Sequence, residues 1–260
     1  GASGACGSVL KDLDYEKKFF DLKSCDEMSQ SGKFIQGNIS DEELVENEII
    51  GCDILIHLAH SYTSKGYEVN YKGTTNLFKN AKQHKIKKLI FVSSISSMSK
   101  ALSLYGKTKF KIEQYCLKNN IIIIRPGLIF GNFVDKKINH ISNIIKYLPF
   151  LIYFYHPRKY IHSVNIDELC ESIYKIILKK YKYKILNIHS KKKVYFLDIL
   201  NLLTNKPKIR LPYLFFYLFF VFISKLIYLK SLDSFLGIMK SRNISKRKFE
   251  INIITKKTIV

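Results

Sequence analysis

The sequence predicts an α/β protein built on a doubly wound, Rossmann-type parallel sheet. A glycine-rich segment opens the chain, and short apolar runs alternate with stretches of helical periodicity over the first half. Strands that alternate with helices form parallel sheets, because a crossover helix must carry the chain back before the next strand can begin. Glycines placed before the first helix favour a sheet that binds a nucleotide.

The local patterns place strands and helices in alternation. The predicted strands cover residues 17–21, 53–59, 88–94 and 121–125. The predicted helices cover residues 74–84, 107–119 and 167–179. Residues 121–125 carry a run of isoleucines, which is typical of a strand buried on both faces. For residues 53–59 a buried helical turn is the alternative, but their length and β-branched content favour a central strand.

The length of 260 residues suits a cofactor domain and a smaller lobe. We expect a nucleotide-binding domain over residues 1–150 and a small, mostly helical substrate lobe over residues 151–260, partly interleaved. The active site is expected between the two.

The most hydrophobic segment covers residues 211–229. Its apolar and aromatic run extends from Tyr213 to Ile223, whereas a bilayer-spanning helix needs about 20 such residues. Ser224 and Lys225 then interrupt the run. We therefore expect a buried or interfacial helix here rather than a transmembrane one.

The net charge of +22 predicts an anionic partner on electrostatic grounds. The basic residues are mostly lysines spread along the chain, which a compositional bias would also produce, and no basic arm or nucleic-acid-binding motif accompanies them. We therefore expect no nucleic-acid partner. Nucleotides and acidic lipids remain compatible partners.

The cysteines predict neither a disulfide framework nor a zinc site. The five are far apart and never spaced as C-x-x-C, and no metal is expected elsewhere. No secretory leader pattern opens the sequence, so the cytoplasm is the expected compartment. Peripheral contact with the inner membrane face through residues 211–229 is a further option.

A glycine loop is indicated by Gly1, Gly4 and Gly7, which are spaced three apart before a segment able to start a helix. Glycines let backbone N–H groups approach a pyrophosphate, which then sits at the positive end of the helix. A flexible glycine-rich terminus is the alternative.

A carboxylate follows at Asp21, where the predicted strand 17–21 ends. An acid in this place holds the ribose diol of a dinucleotide and favours NAD over NADP. It lies 14 residues after Gly7, against about 20 in the usual fingerprint, so the intervening helix must be short. A solvent-facing aspartate is the alternative.

The strongest catalytic signal is the Y-x-x-x-K pair Tyr105 and Lys109, which follows Ser94 at the end of a predicted strand. Residues four apart share a helix face, so the ammonium can lie near the phenol and lower its pKa. Tyrosine then serves as an acid or base near neutral pH, and Ser94 would hold the substrate oxygen. Such pairs are common by chance, and the order of the surrounding motifs raises the weight of this one.

Residues 1–180 resemble the extended short-chain dehydrogenases/reductases, the family of UDP-galactose 4-epimerase and related epimerases, dehydratases and ketoreductases. The segments that carry the resemblance are GASGACG, DILIHLAH, VNYKGTTNL, FVSS, YGKTK, RPGLIFG and YIHSVNIDEL.

The resemblance implies a site for NAD and a nucleotide sugar, in a homodimeric enzyme. The implied catalytic residues are Ser94, Tyr105 and Lys109, with Asn70 in support. The implied cofactor-binding residues are Gly1, Ser3, Gly4, Ala5, Cys6, Gly7, Asp21, Asn38, Ile39, Leu58, Ala59, Tyr105, Lys109 and Pro126.

Two departures from the family pattern refine the expectation. The dehydratases of the family carry Thr-Asp-Glu where this chain has Ser94-Ile95-Ser96, so an epimerase or ketoreductase is favoured. The sequence begins at the glycine loop, so the first strand of the sheet has no counterpart in it. The alternatives are a nucleotide-binding protein without turnover and a membrane-surface oxidoreductase acting on a lipid-linked sugar or sterol-like alcohol.

The remaining polar candidates are expected to be structural. His57 and His60 lie on the predicted strand 53–59 and at its end, as core histidines do. His162 and Asp167 are expected to position a loop and to cap a helix.

Overall fold

The computed structural model shows a parallel sheet with helices packed against it, which confirms the predicted fold class. It describes residues 2–12, 14–61, 66–131, 149–154, 160–179, 181–182, 184–212, 214–215, 218, 222 and 250–255.

The main sheet of the described residues has five parallel strands in the order β11-β9-β5-β4-β3. Three further parallel pairs are β1-β2, β6-β8 and β7-β10. The strands are β1 (Lys18–Asp21), β2 (Lys33–Gln36), β3 (Ile54–His57), β4 (Lys88–Val92), β5 (Ile122–Pro126), β6 (Leu128–Phe130), β7 (Leu151–Phe154), β8 (Ser163–Asn165), β9 (Ile185–Ser190), β10 (Lys208–Leu211) and β11 (Glu250–Thr255).

The helices alternate with these strands through the first half of the chain. They are α1 (Ala5–Leu10), α2 (Asp26–Ser29), α3 (Glu42–Ile49), α4 (Gly66–Gln83), α5 (Leu104–Lys118), α6 (Ile166–Leu178) and α7 (Phe196–Leu203). The predicted helices 74–84, 107–119 and 167–179 correspond to parts of α4, α5 and α6. Helix α4 begins at Gly66, well before the predicted start at residue 74, and α5 begins at Leu104, shortly before the predicted start at residue 107.

The pair β1-β2 forms a sheet of its own within the described part of the chain. In a doubly wound sheet, the strand that leads into the glycine loop lies between the second and fourth strands. Here those neighbours are β1 and β3, and the described residues contain no strand between them in the sheet. The pair β1-β2 therefore stands apart from the main sheet.

The C-terminal half contributes strands as well as helices. Both β9 and β11 belong to the main sheet, and β9 pairs directly with β5. The two parts of the chain are therefore interleaved in the sheet. The domain boundary at residue 150 stays a prediction.

The isoleucines of β5 pack on opposite faces of the sheet. Ile123 belongs to a core cluster with Phe91 and Ile112, and Ile124 belongs to another with Val92 and residues of α6. Both isoleucines are fully buried. The prediction of a strand buried on both faces is confirmed, because successive side chains of a strand point to opposite faces.

The helix α6 begins before the acidic residues of its first turn. Asn165 is its N-cap, and the Asn165 side chain accepts hydrogen bonds from the backbone N–H groups of Asp167 and Glu168. Asp167 lies in the first turn, so the expectation that it caps the helix is wrong. An amide oxygen serves as well as a carboxylate in this role.

The hydrophobic segment 211–229 differs from the expected helix at its start. Leu211 is the last residue of β10, and Pro212 follows it. The described helical residues of the segment are Leu214, Phe215, Leu218 and Phe222, and all four are exposed rather than buried. The rest of the segment lies outside the described residues. Within the described part of the chain, no helix is both long enough and apolar enough to cross a membrane.

We predict that Ile123→Ala lowers the free energy of unfolding by about 2–5 kcal/mol, because it leaves a cavity in a fully buried strand. The matched control Ile254→Ala, on the exposed face of β11, should change it by less than about 0.5 kcal/mol. Urea denaturation of the two variants measures the difference. Equal effects would contradict the central place of β5.

Candidate active site

The carboxyl ends of β3, β4 and β5 meet at one edge of the main sheet, since these strands are parallel neighbours. The Ile95 N–H donates to the Pro126 carbonyl at 3.2 Å, which joins the ends of β4 and β5. This edge brings together four residues predicted for the site, namely Leu58, Ala59, Ser94 and Pro126. Ligands of open α/β sheets bind at such an edge.

Tyr105 and Lys109 lie near each other on α5. Ser103 caps the helix by accepting a hydrogen bond from the Gly106 N–H at 2.9 Å, which fixes where the first turn begins. Lys109 follows Tyr105 by one turn, and its Nζ lies 5.9 Å from the centre of the Tyr105 ring. The side chains therefore meet as the four-residue spacing predicts.

Lys109 is almost completely buried beneath the sheet edge. Its Nζ donates to the Val92 carbonyl at 2.8 Å and lies 4.6 Å from the centre of the Phe91 ring. Burial lowers the pKa of Lys109 to about 8, although the nearby Glu113 carboxylate acts in the opposite direction. The side chain therefore still carries its proton at neutral pH.

Ser94 lies half-buried in the turn that follows β4. Its Oγ accepts a hydrogen bond from the Ser96 N–H at 3.1 Å. A hydroxyl that accepts still has its own proton to donate, so Ser94 can bind a substrate oxygen.

The glycine loop closes tightly on itself before α1. A Cβ added to Gly7 would lie 1.8 Å from the Ala2 carbonyl oxygen, so no other residue fits there. The Ser8 N–H donates to the Gly4 carbonyl at 2.9 Å, and Cys6 follows in the first turn of α1. Gly1, which is also predicted to bind cofactor, lies outside the described residues.

Asp21 is held against the glycine loop rather than facing solvent. Its Oδ2 accepts from the N–H and the hydroxyl of Ser3, both at 2.9 Å, and its Oδ1 accepts from the Leu22 N–H at 2.7 Å. The alternative of a solvent-facing aspartate is therefore wrong. A carboxylate is placed beside the loop, as a ribose-binding acid must be.

The amides predicted for the site have structural contacts. Asn70 accepts from the Ser61 N–H and donates to the Ser61 carbonyl, both at 2.8 Å, and so holds the loop that follows His60. Asn38 accepts from the Ser40 N–H at 3.0 Å. Ile39 packs against the α4 backbone, because a Cβ on Gly73 would lie 2.8 Å from its side chain.

Comparison with known proteins finds similarities over parts of the chain. The sequence model of the 3-beta hydroxysteroid dehydrogenase/isomerase family matches residues 10–103. A second match is the N-acetyl-alpha-D-glucosaminyl-diphospho-ditrans,octacis-undecaprenol 4-epimerase of Escherichia coli O157:H7, 26% identical over 176 residues, which are 56% of this chain and 51% of that protein. Both matches agree with the resemblance to the extended short-chain dehydrogenases/reductases.

Two further similarities agree with this family. The dTDP-D-glucose 4,6-dehydratase of Dictyostelium discoideum is 40% identical over 97 residues, which are 33% of this chain and 22% of that protein. The structure of the UDP-glucuronic acid 4-epimerase of Bacillus cereus in complex with NAD has the same fold, with a TM-score of 0.66 at 20% identity, over 82% of this chain and 85% of that one. The chain spans about half or less of the length of the curated relatives it matches. These similarities support the expected family.

In this chain, a buried ion pair that no local sequence pattern predicts supports helix α5. The Glu113 carboxylate accepts from Arg125 Nε at 2.8 Å, from Arg125 Nη2 at 2.7 Å and from the Ser93 hydroxyl at 2.5 Å. All three residues are buried. Glu113 follows Lys109 by one helical turn, so the pair anchors α5 to β4 and β5 directly below the site.

His60 contacts the candidate catalytic tyrosine, which the sequence did not predict. Its ring meets the Tyr105 ring edge to face with 4.7 Å between centres. Burial and the nearby Lys109 ammonium lower the pKa of His60 to about 2, so the imidazole is neutral. His57, by contrast, bonds to Thr74 Oγ1 at 2.8 Å within the core, as expected for a structural histidine.

We predict that Glu113→Gln lowers the free energy of unfolding by about 3–5 kcal/mol, because it leaves the buried Arg125 charge uncompensated. The control Glu171→Gln breaks an exposed pair with Lys175 and should change stability by no more than about 0.5 kcal/mol. Chemical denaturation of both variants measures this. A loss at Glu113 as small as that at Glu171 would show that the pair does not anchor α5.

We predict a pH-dependent stability term from Lys109. Its pKa is about 8 in the folded chain, against 10.5 for an unperturbed lysine, so between these values the unfolded chain binds more protons and folding becomes more favourable as pH rises. Below pH 8 the full penalty for burying the charge applies. The stability of the wild type relative to Lys109→Met should therefore increase between about pH 8 and about pH 10.5, the range between the folded and unfolded pKa values.

Urea midpoints at several pH values measure this term. The exposed neighbour Lys107 supplies the control, since Lys107→Met should follow the wild type in parallel across the same range. Parallel curves for Lys109→Met as well would mean that the buried ammonium does not titrate in this window.

Proposed function

We propose that the protein is an NAD-dependent enzyme that epimerises or reduces a sugar carried on a diphosphate, with a nucleotide sugar as substrate. The observation that carries the proposal is the meeting of Tyr105 and Lys109 at the carboxyl edge of the sheet. A phenol beside a buried ammonium has the chemistry to move a proton to and from a sugar hydroxyl.

The residues present fit NAD. Gly7 packs closely against the Ala2 backbone, so no side chain stands between the loop and a bound pyrophosphate. Asp21 places a carboxylate beside the same loop. Backbone N–H groups of residues 4–7 would hold the pyrophosphate, and Asp21 would hold the adenosine ribose. The same carboxylate would repel the 2′-phosphate of NADP. When bound, NAD supplies acceptance and return of a hydride at the sugar carbon.

Each polar group at the edge has a role in this reaction. Tyr105 takes the proton from a sugar hydroxyl and returns it after the configuration has changed. Lys109 stabilises the phenolate through its charge, which the low-dielectric surroundings strengthen. The Ser94 hydroxyl donates a hydrogen bond to the same sugar oxygen and so holds the substrate in position. Neutral His60 packs on the Tyr105 ring and limits its rotation without adding a second positive charge.

Epimerase or ketoreductase chemistry is favoured over water loss. A dehydratase needs an acid beside the reacting sugar, and Ile95 and Ser96 follow Ser94 where an acid pair stands in the family's dehydratases. Ile95 is buried and has no proton to give. The homodimer expected from the resemblance stays a prediction that size-exclusion chromatography tests.

A lipid-linked diphospho-sugar is a second candidate substrate. By its name, the relative from Escherichia coli acts on an N-acetylglucosaminyl group attached through diphosphate to undecaprenol. Nucleotide sugars and this lipid share a sugar on a diphosphate, which is the part that the candidate site would contact. A substrate panel should therefore include both kinds of carrier.

We predict that the purified protein interconverts a UDP-sugar with its 4-epimer in the presence of NAD, or reduces a keto-sugar on a nucleotide in the presence of NADH. Tyr105→Phe should lower the rate by about 10²-fold or more, because the acid and base is lost. Tyr115→Phe is the matched control on the same helix, since its hydroxyl bonds to the Thr75 carbonyl, away from the edge. Chromatography of the products gives the rates.

Two outcomes would count against the proposal. Equal turnover by Tyr105→Phe and the wild type would remove Tyr105 from the mechanism. Tight NAD binding with no conversion of any diphospho-sugar would favour a nucleotide-binding protein without turnover.

A further inference from the structure

The described helical residues that follow β10 carry large apolar side chains on their outer surface. Leu214 is 63% exposed, Phe215 70%, Leu218 54% and Phe222 64%. We call these four residues the apolar face. In most proteins such residues would be turned towards the core.

The spacing of these four residues suits a single stripe on a helix. An α-helix turns by about 100° per residue, so positions 214, 218, 222 and 215 fall in that order within an arc of about 100°. An arc of this width is what a helix normally presents to a protein core. Here it is presented outward, and a contiguous exposed apolar patch marks an interaction surface.

Positive charge accompanies the apolar face. The strand β10 leads into it through Pro212, and Arg210 on this strand is exposed. The chain as a whole carries +22. An exposed apolar face on a strongly basic chain matches a bilayer whose headgroups are anionic, since the apolar side chains enter the acyl boundary while the cations meet the phosphates.

We propose that the apolar face docks on the surface of an anionic lipid bilayer. A second copy of the chain is the less suitable occupant of this face, because a chain of +22 is attracted to anionic headgroups, whereas a second copy carries the same charge. Docking does not depend on the proposed enzymatic activity. If that activity also holds, docking brings the C-terminal part of the chain to the place where a lipid-linked diphospho-sugar would be presented.

Flotation with lipid vesicles tests the proposal. The wild-type protein should float with phosphatidylcholine vesicles that contain phosphatidylglycerol, and far less with phosphatidylcholine alone. High salt should weaken the binding, since charges at the surface are screened. A variant with Leu214, Phe215, Leu218 and Phe222 all changed to Ser should bind the anionic vesicles at least tenfold more weakly.

A matched control removes exposed apolar residues elsewhere. Leu178→Ser with Leu202→Ser changes two leucines that are 58% and 55% exposed on α6 and α7, and vesicle binding should stay at the wild-type level. Circular dichroism and the thermal midpoint confirm that both variants fold, which is expected because exposed side chains are replaced.

Three results would overturn the proposal. One is equal flotation of the fourfold variant and the wild type, and another is an equal loss in the control variant. The third is self-association of the wild type, abolished in the fourfold variant and without vesicle binding, which would make a second copy the occupant. None of these readouts measures turnover, so a failure of docking and a failure of the proposed activity are separate results.

Discussion

The buried carboxylate of Glu113 holds the candidate site together. Two nitrogens of Arg125 donate hydrogen bonds to it, and the Ser93 hydroxyl donates a third. Helix α5 is thereby joined to β5 and to the end of β4 at one point. Charge-assisted, bidentate bonds of this kind fix orientation as well as distance. Lys109 and Tyr105 lie one and two turns before Glu113 on α5. Their placement over the sheet edge therefore depends on a pair that need not contact any ligand.

Low-dielectric surroundings decide the charges near that pair. The Lys109 ammonium stays protonated at neutral pH, because the opposing charge of Glu113 offsets part of the effect of burial. Burial and the same ammonium keep the pKa values of His57 and His60 at about 3 and about 2. The Tyr105 ring thus lies near a charged ammonium and packs against an uncharged imidazole. These surroundings would suit the proposed alternation of Tyr105 between phenol and phenolate.

Local patterns in the sequence predict the elements but not the contacts between distant ones. The spacing of Tyr105 and Lys109 predicts their meeting, since both lie on one helix. Glu113 continues the same spacing, yet its partner Arg125 is on a strand, and no local rule joins the two. The contact of His60 with Tyr105 cannot be predicted from local sequence patterns either. Asn70 holds the loop that follows His60, and this is also a contact between residues far apart in the chain. Hydrophobicity alone predicts that Leu211 lies in a helix, but the residue ends strand β10. A run of apolar residues does not reveal where a strand ends and helical residues begin.

The glycine loop rests on residues that come much later in the chain. The Cys170 thiol donates to the Cys6 carbonyl, and Leu10 of α1 packs in the same core cluster as Ile173 of α6. Because the ribosome makes the N-terminal end first, the glycine loop gains this support only after α6 has been synthesised. The order of synthesis and the order of packing are thus opposed. Binding of a nucleotide at the glycine loop would then indicate that the C-terminal half of the chain has already folded.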